Sequence, residues 1–374
     1  MQSIYWVVTW ACHRKCPHCY DDRFRPYVRE ALDRVIAEGA KAYSQILRHL
    51  PDTMRWRDSA GLSHPTNLVL AGGELLIDGV RERLFYPLLE AIADRWGENG
   101  PRIAVQTTGD ILTDDMISAM LERGVGSIAI ASIDDYHVGH AGQAKFDLMT
   151  RVRAMMARHG VTEVDLGLAR DRPVADAAPS LSPPTRRPRR ADGPSFVFFG
   201  AQPDLWIGEL WPRGRAWING LSNADYSTNF CKRWSGGKGF LDIGLAGSEV
   251  AIEPDGSLYP CCIKTKAPIG NLAEEPLTDI LDDLRGDPAL QAINRGDPEA
   301  MGVTTGWTRE DFRSAAETID PTGRAFANPC IGCDRFFADQ LGARLAERRL
   351  RRLAARRSTL GMQVEQPDCP ATTP

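Results

Sequence analysis

The stretch Ile4-Tyr5-Trp6-Val7-Val8-Thr9-Trp10-Ala11-Cys12-His13-Arg14-Lys15-Cys16-Pro17-His18-Cys19-Tyr20 decides how the rest of the chain is read. Its first part, Ile4–Trp10, is an apolar, β-branched and aromatic run of strand length. Its second part is polar and carries three thiols, three residues separating the first pair and two the second. A buried strand that empties into a cysteine loop puts the thiols at the strand's C-terminal end. Outward from there, strand-like and helix-like segments alternate. Val28, Leu32, Val35, Ile36, Tyr43, Ile46 and Leu47 form a helical stripe. Asn67–Ala71, Arg102–Gln106, Ser127–Ala131 and Glu163–Ala169 read as strands, with helices near 82–95, 113–122 and 145–159 between them. Phe196–Phe199 resumes the strands. Such alternation predicts parallel strands with helical crossovers, and in parallel barrels chemistry gathers at the C-terminal strand ends.

Composition bounds the possibilities. The chain has 374 residues, 43% of them apolar, enough for two ordinary domains. A net charge of −4 points to neither a nucleic-acid binder nor a membrane-surface protein. No window of 18 apolar residues occurs, and the first residues lack a basic segment and a cleavage site, so a cytoplasmic chain is expected. Nine cysteines fall into three sets: Cys12, Cys16 and Cys19; Cys231, Cys261 and Cys262; Cys330, Cys333 and Cys369. An odd number in a long chain without an export signal fits a disulfide protein poorly and metal binding better.

Three regions are expected: 1–204, 205–340 and a basic helix with its tail over 341–374. Residues 171–195, rich in Pro, Ala and Arg and including Arg186, Arg187, Arg189 and Arg190, read as an exposed insertion. Glu249–Glu253, Pro254-Asp255-Gly256 and Ser257–Pro260 read as a hairpin with a D-G turn. Pro276–Leu284 reads as helical. A last helix, about 335–357, carries seven arginines from Arg344 to Arg357, read as a solvated face or as a docking surface for an acidic peptide.

Thiolates are the usual ligands of [4Fe–4S] clusters, which normally take four. Three from one loop leave one iron open to an outside ligand. A zinc site of Cys12, Cys16, Cys19 and His13 or His18 is the alternative. The triad, its spacing and the aromatic that follows resemble the radical S-adenosylmethionine (SAM) superfamily. The resemblance implies a partial (β/α)6 barrel, α/β in class, in which SAM chelates the open iron and is cleaved to a 5′-deoxyadenosyl radical. Gly72-Gly73-Glu74 resembles the family's Gly-Gly-Glu motif, with Glu74 pairing the SAM ammonium. Gln106-Thr107-Thr108-Gly109 partly matches a Thr-Asn-Gly. Ser132 and Asp134 stand where the family places contacts to the SAM ribose or carboxylate. Arg170 is a candidate for the carboxylate or a surface arginine. Tyr20 is expected beside the adenine.

Gly256, Cys261 and Cys262, then Ile269-Gly270-Asn271-Leu272, then Cys330-Ile331-Gly332-Cys333 resemble, in order and spacing, the cluster-binding extensions called SPASM and twitch domains. No cysteine follows within Asp334–Ala338, as a full SPASM pattern would have. The shorter twitch type, an α+β unit with one auxiliary [4Fe–4S] cluster on Cys231, Cys261, Cys330 and Cys333, is therefore expected, with Cys262 able to replace Cys261. A zinc ribbon on the same residues is the alternative. The resemblance implies a radical SAM oxidoreductase that oxidises or crosslinks a peptide or protein side chain, with a dehydrogenase or tailoring enzyme of a small metabolite or sugar as alternative. An electron donor such as flavodoxin or ferredoxin is implied. A peptide substrate would need a partner protein or the C-terminal helix, since Cys12 leaves little room before it. Asp135 and His137 are nominated as proton acceptors, near Asp134, Tyr136 and His140. A non-catalytic iron–sulfur electron carrier is the reading from another class.

Overall fold

A computed structural model of the chain describes residues 1–164, 193–200, 209–233 and 235–359. Arg170, the insertion up to residue 192 with its four arginines, most of the segment Glu163–Ala169, and Cys369 lie outside the described residues.

The centre is a nine-stranded sheet. Across it run Gly270–Asn271, Ser257–Tyr259, Glu249–Ile252, Ser3–Thr9, Asn67–Gly72, Arg102–Thr107, Val125–Ile130, Ser195–Phe198 and Thr162–Glu163. From Glu249–Ile252 to Thr162–Glu163 every pairing is parallel. The two edge strands are not paired with each other, so the described residues form an open, partial barrel and no closed one. Ser195–Phe198 lies between Val125–Ile130 and Thr162–Glu163, not beyond the latter as chain order suggests. The burial pattern accounts for this. Ser195–Phe198 is buried or nearly so at every position, as an internal parallel strand requires, whereas Thr162 and Glu163 are exposed and suit an edge.

Strand alternation divides the first strand's side chains. Ile4, Trp6 and Val8 join the large core beneath the helices. Tyr5 and Val7 join Val69, Ala71 and Ala251 on the opposite face, with Tyr20, Phe24, Tyr259 and Cys262 beside them. The crossover helices are Glu30–His49, Tyr86–Trp96, Asp114–Glu122 and Gln143–Arg158. Val35, Ile36, Ile46 and Leu47 are the buried members of the first stripe. Val28 precedes the helix and is 69% exposed, so it does not belong to that face.

The hairpin is present, and it extends the same sheet. Glu249–Ile252 pairs parallel with Ser3–Thr9 on one side and antiparallel with Ser257–Tyr259 on the other. The last helical run starts earlier than expected. Pro329–Phe336 is helical, a π turn spans Phe337–Leu341, and Gly342–Thr359 continues. Five of its seven arginines are paired with acidic side chains rather than left as a bare solvated face, while Arg351 and Arg357 are exposed. Arg344 pairs with Asp287, Arg348 with Asp283 and Asp287, Arg349 with Glu274, Arg352 with Glu275 and Asp283, and Arg356 with Asp279. No helix among the described residues is long and apolar enough to cross a membrane.

Candidate iron–sulfur and substrate site

The first cysteine loop leaves the end of the Ser3–Thr9 strand. Cys12 and Cys16 are buried and Cys19 is partly so. Burial raises the Cys12 thiol to about 12 and the Cys19 thiol to about 11, and it raises Cys16 as well. Such thiols ionise only if a cation or metal takes the charge. The Gly72-Gly73 turn is pressed against this loop. A Cβ on Gly73 would lie 2.2 Å from the Ala11 carbonyl oxygen and 2.7 Å from the Cys12 Cβ. Glycine is therefore required there by close approach of backbone.

Glu74 is fully buried and saturated. It accepts from the Leu76 amide at 3.0 Å, the Thr107 hydroxyl at 2.9 Å, the Thr108 amide at 2.8 Å and the Thr108 hydroxyl at 2.7 Å. The Thr108 hydroxyl also faces Asp110, so two carboxylates share its one proton. Asp110, in turn, holds the first cysteine loop: His13 lies 2.8 Å away and Arg14 Nη2 donates at 2.5 Å. Burial alone would raise the Asp110 carboxyl, but hydrogen bonds with His13, Thr108 and Arg14 hold it well below the usual range. The sequence reading missed Asp110, because a turn aspartate has no signal until its partners are placed.

Ser132 and Asp134, at the next strand end, are fully buried. Ser132 donates to the Thr108 carbonyl at 2.6 Å. Asp134 accepts the Tyr136 and His137 amides at 2.9 and 3.0 Å and lies 2.8 Å from His137 Nδ1. The His137 ring meets His18, of the cysteine loop, edge-on at 4.4 Å. His137 therefore sits against the triad loop. Asp135 points elsewhere: it is 57% exposed and accepts from Lys145 Nζ at 2.8 Å and the Gly142 amide at 2.9 Å. Tyr20 lies on the face shared with Tyr5, the two hydroxyls 3.4 Å apart.

Two residues unremarked in the sequence secure the loops. Arg215, on the short helix Gly214–Ile218, is buried and donates to the carbonyls of Cys16, Phe24 and Asp22. Arg213 donates to the Ile263 carbonyl at 3.0 Å and pairs with Asp334 at 2.9 Å. It stands in one cavity with Cys231, Cys261, Cys330 and Cys333. Cys330 and Cys333 occupy one face of the first turn of Pro329–Phe336, whose N-cap Asn328 accepts the Cys330 amide at 2.8 Å. Cys262 does not line this cavity. It packs against the group of Tyr5 and Ala251 on one side and that of Phe230 and Cys330 on the other. Burial raises Cys261 to about 12 and Cys330 to about 11, with Cys231 and Cys333 well above the ordinary value. Arg213 opposes that rise and supplies the positive charge that thiolates here require.

Spacing bears on the metal. Among the described residues, the one trio of His, Cys, Asp or Glu whose ligand atoms all lie within 4.8 Å of one another is His18, Asp134 and His137; no such trio contains a cysteine. Tetrahedral zinc, at about 2.3 Å from each sulfur, would need sulfurs about 3.8 Å apart. As the side chains stand, neither cysteine set is drawn together to that spacing, and thiolate sets of three and four are donors that a [4Fe–4S] cluster takes.

Residues 245–302 match the SPASM family, an iron–sulfur cluster-binding domain. That segment contains Cys261 and Cys262 and the hairpin. No curated protein matches the sequence. Solved structures of similar fold include BtrN in complex with AdoMet and 2-DOIA, at 13% identity, covering 83% of this chain and 92% of that one, TM-score 0.42. Native anSMEcpe with bound AdoMet and a peptide is 13% identical over 96% of this chain and 99% of that one, TM-score 0.40. SuiB of Streptococcus suis bound to S-adenosylmethionine is 9% identical over 78% and 67%, TM-score 0.35.

Proposed function

We propose that the chain is a radical SAM enzyme with one auxiliary cluster, acting on a peptide or protein side chain by oxidation or crosslinking. The observation that carries this reading is the pair of separate cysteine sets, one of three thiols on the loop after the first strand and one of four around a single cavity. Cys12, Cys16 and Cys19 would hold a [4Fe–4S] cluster with one open iron. Cys231, Cys261, Cys330 and Cys333 would hold a second with all four irons filled. With SAM and one electron, from a flavodoxin- or ferredoxin-like donor, the first cluster supplies a 5′-deoxyadenosyl radical.

The chain's own residues prepare that site. Gly73 lets backbone approach the triad, and Asp110 anchors the triad loop through His13 and Arg14. Thr108 acts as a hydroxyl switch. When it donates to Asp110, Glu74 Oε2 loses one of its donors while keeping the Thr108 amide, which leaves acceptor capacity for an ammonium group of SAM. Ser132 and Asp134 hold the neighbouring strand end, and Arg170 remains a nominee for the SAM carboxylate. His137, held by Asp134, would take the proton that an oxidised substrate radical loses, and a cluster on the second cysteine set would supply an electron acceptor. Asp135 serves that role less well, being tied to Lys145 away from the triad.

The test is anaerobic reconstitution followed by reduction with SAM present. Two clusters give about eight irons per chain, and 5′-deoxyadenosine accumulates. Zinc in place of iron overturns the reading. Iron without 5′-deoxyadenosine leaves an electron carrier instead.

A further inference from the structure

Four charged side chains join the two cysteine regions. Asp21 follows Cys19 by two positions, and Glu253 directly follows the strand Glu249–Ile252 that leads into the Cys261 hairpin. Arg23 Nη2 donates to Asp21 at 2.7 Å and to Glu253 at 2.9 Å. Lys264 Nζ pairs with both carboxylates. The side chains of Asp21, Glu253 and Lys264 are 8%, 3% and 12% exposed, so water screens these pairs little. Arg23 lies over the Trp10 ring at 3.6 Å, and Lys264 at 4.8 Å.

Lys264 differs from the other three in its backbone. Its φ is 65°, a left-handed value that non-glycine residues seldom adopt. Its amide donates to the Cys261 carbonyl at 3.1 Å, and its carbonyl accepts from Arg213 at 3.3 Å. Lys264 is thus fixed to the second cysteine set by its main chain and reaches the first cysteine loop by its side chain. A residue whose only task was charge neutralisation would not need a strained backbone locked to Cys261 and Arg213.

We infer that Lys264 is a positioning residue that sets the spacing between the first and second cysteine sets. The inference rests on the two-cluster reading above. Both reduced clusters carry unpaired spin, so pulsed EPR of the iron-loaded chain reads the distance between them. Wild type and Lys264→Arg should show one narrow distance. Lys264→Met, similar in reach but uncharged, should keep its iron and lose that single distance to a broad distribution. Should Lys264→Met lose iron, Asp21→Asn, which removes the charge that Lys264 meets on the first cysteine loop, is read instead, with the same broadening expected. An unchanged narrow distance in the iron-loaded variant overturns the inference alone. Wild type with only about four irons per chain overturns the two-cluster reading and this inference with it.

Discussion

The guanidinium of Arg215 donates through Nε to the carbonyl of Cys16 at 2.7 Å, across 199 residues of chain. Its other nitrogens reach the Phe24 carbonyl at 2.7 Å and the Asp22 carbonyl at 3.0 Å. The triad loop and the residues after it have no regular structure of their own; besides the Cys19 amide, at 3.4 Å, the Cys16 carbonyl has only this donor among the described residues. Each buried carbonyl left without one costs about 1–3 kcal/mol. Arg215→Ala should therefore leave the second cluster in place and lose the first. Iron analysis should fall from about eight to about four per chain, with a lower melting temperature. Full iron in the variant would show that the loop holds its shape unaided.

Gly73 tests the same loop from the opposite side. Any side chain there meets the Ala11 carbonyl, with a Cβ only 2.2 Å from its oxygen. Gly73→Ala should displace the Cys12 backbone and abolish 5′-deoxyadenosine formation, with the four-iron content of the second cluster retained. The check is iron content beside SAM cleavage. Normal cleavage by Gly73→Ala would mean that the turn gives way at no cost.

Neighbouring Cys261 and Cys262 should behave differently. Cys261 lines the cavity with Cys231, Cys330 and Cys333, and Cys262 lies outside that lining, between the Tyr5 and Phe230 groups. Cys261→Ser should lose about four irons, and Cys262→Ser none. Equal losses would contradict the assignment of ligands.

Glu249 carries a pH signature. It is buried, with the Ser3 and Ser235 hydroxyls beside its carboxyl and no cation among the described residues paired with it. Burial pushes its carboxyl up to about 7, with the nearby Ser3 and Ser235 hydroxyls pulling the other way. The folded chain therefore keeps this proton from about pH 4.5 to about 7 while the unfolded chain releases it. Stability should fall with rising pH across that window, by about 3 kcal/mol in all at 1.36 kcal/mol per unit, and stay level above it. Subtracting the Glu249→Gln profile from wild type isolates the effect, and a flat difference would sink it.

Charge pairs along the last helix should count by burial. Arg352 and Glu275 have side chains 10% and 2% exposed. Arg352→Ala strands a buried carboxylate and should cost about 3–5 kcal/mol. The exposed pair of Arg83 and Asp33 should contribute about 0–1 kcal/mol. Chemical denaturation of both variants gives the comparison, and similar small losses would place the helix outside the cooperative core.

By itself the sequence determined the parallel strands, the crossover helices, the hairpin and the grouping of thiols. Each of these rests on local patterns: alternation, a stripe of period 3.6, a D-G turn, or cysteines two or three residues apart. Tertiary structure alone decided what depends on residues far apart in the chain. It placed Ser195–Phe198 inside the sheet because its residues bury on both faces, and it joined Glu249–Ile252 to the first strand. It put Cys261 in the cavity lining and left Cys262 out of it, a choice made in the turn after Ser257–Tyr259 that two adjacent identical letters cannot reveal. Arg213, Arg215, Asp110 and Lys264 were illegible for the same reason. A charged residue's role lies in the carbonyls and carboxylates it meets, and those partners come together only when the chain folds.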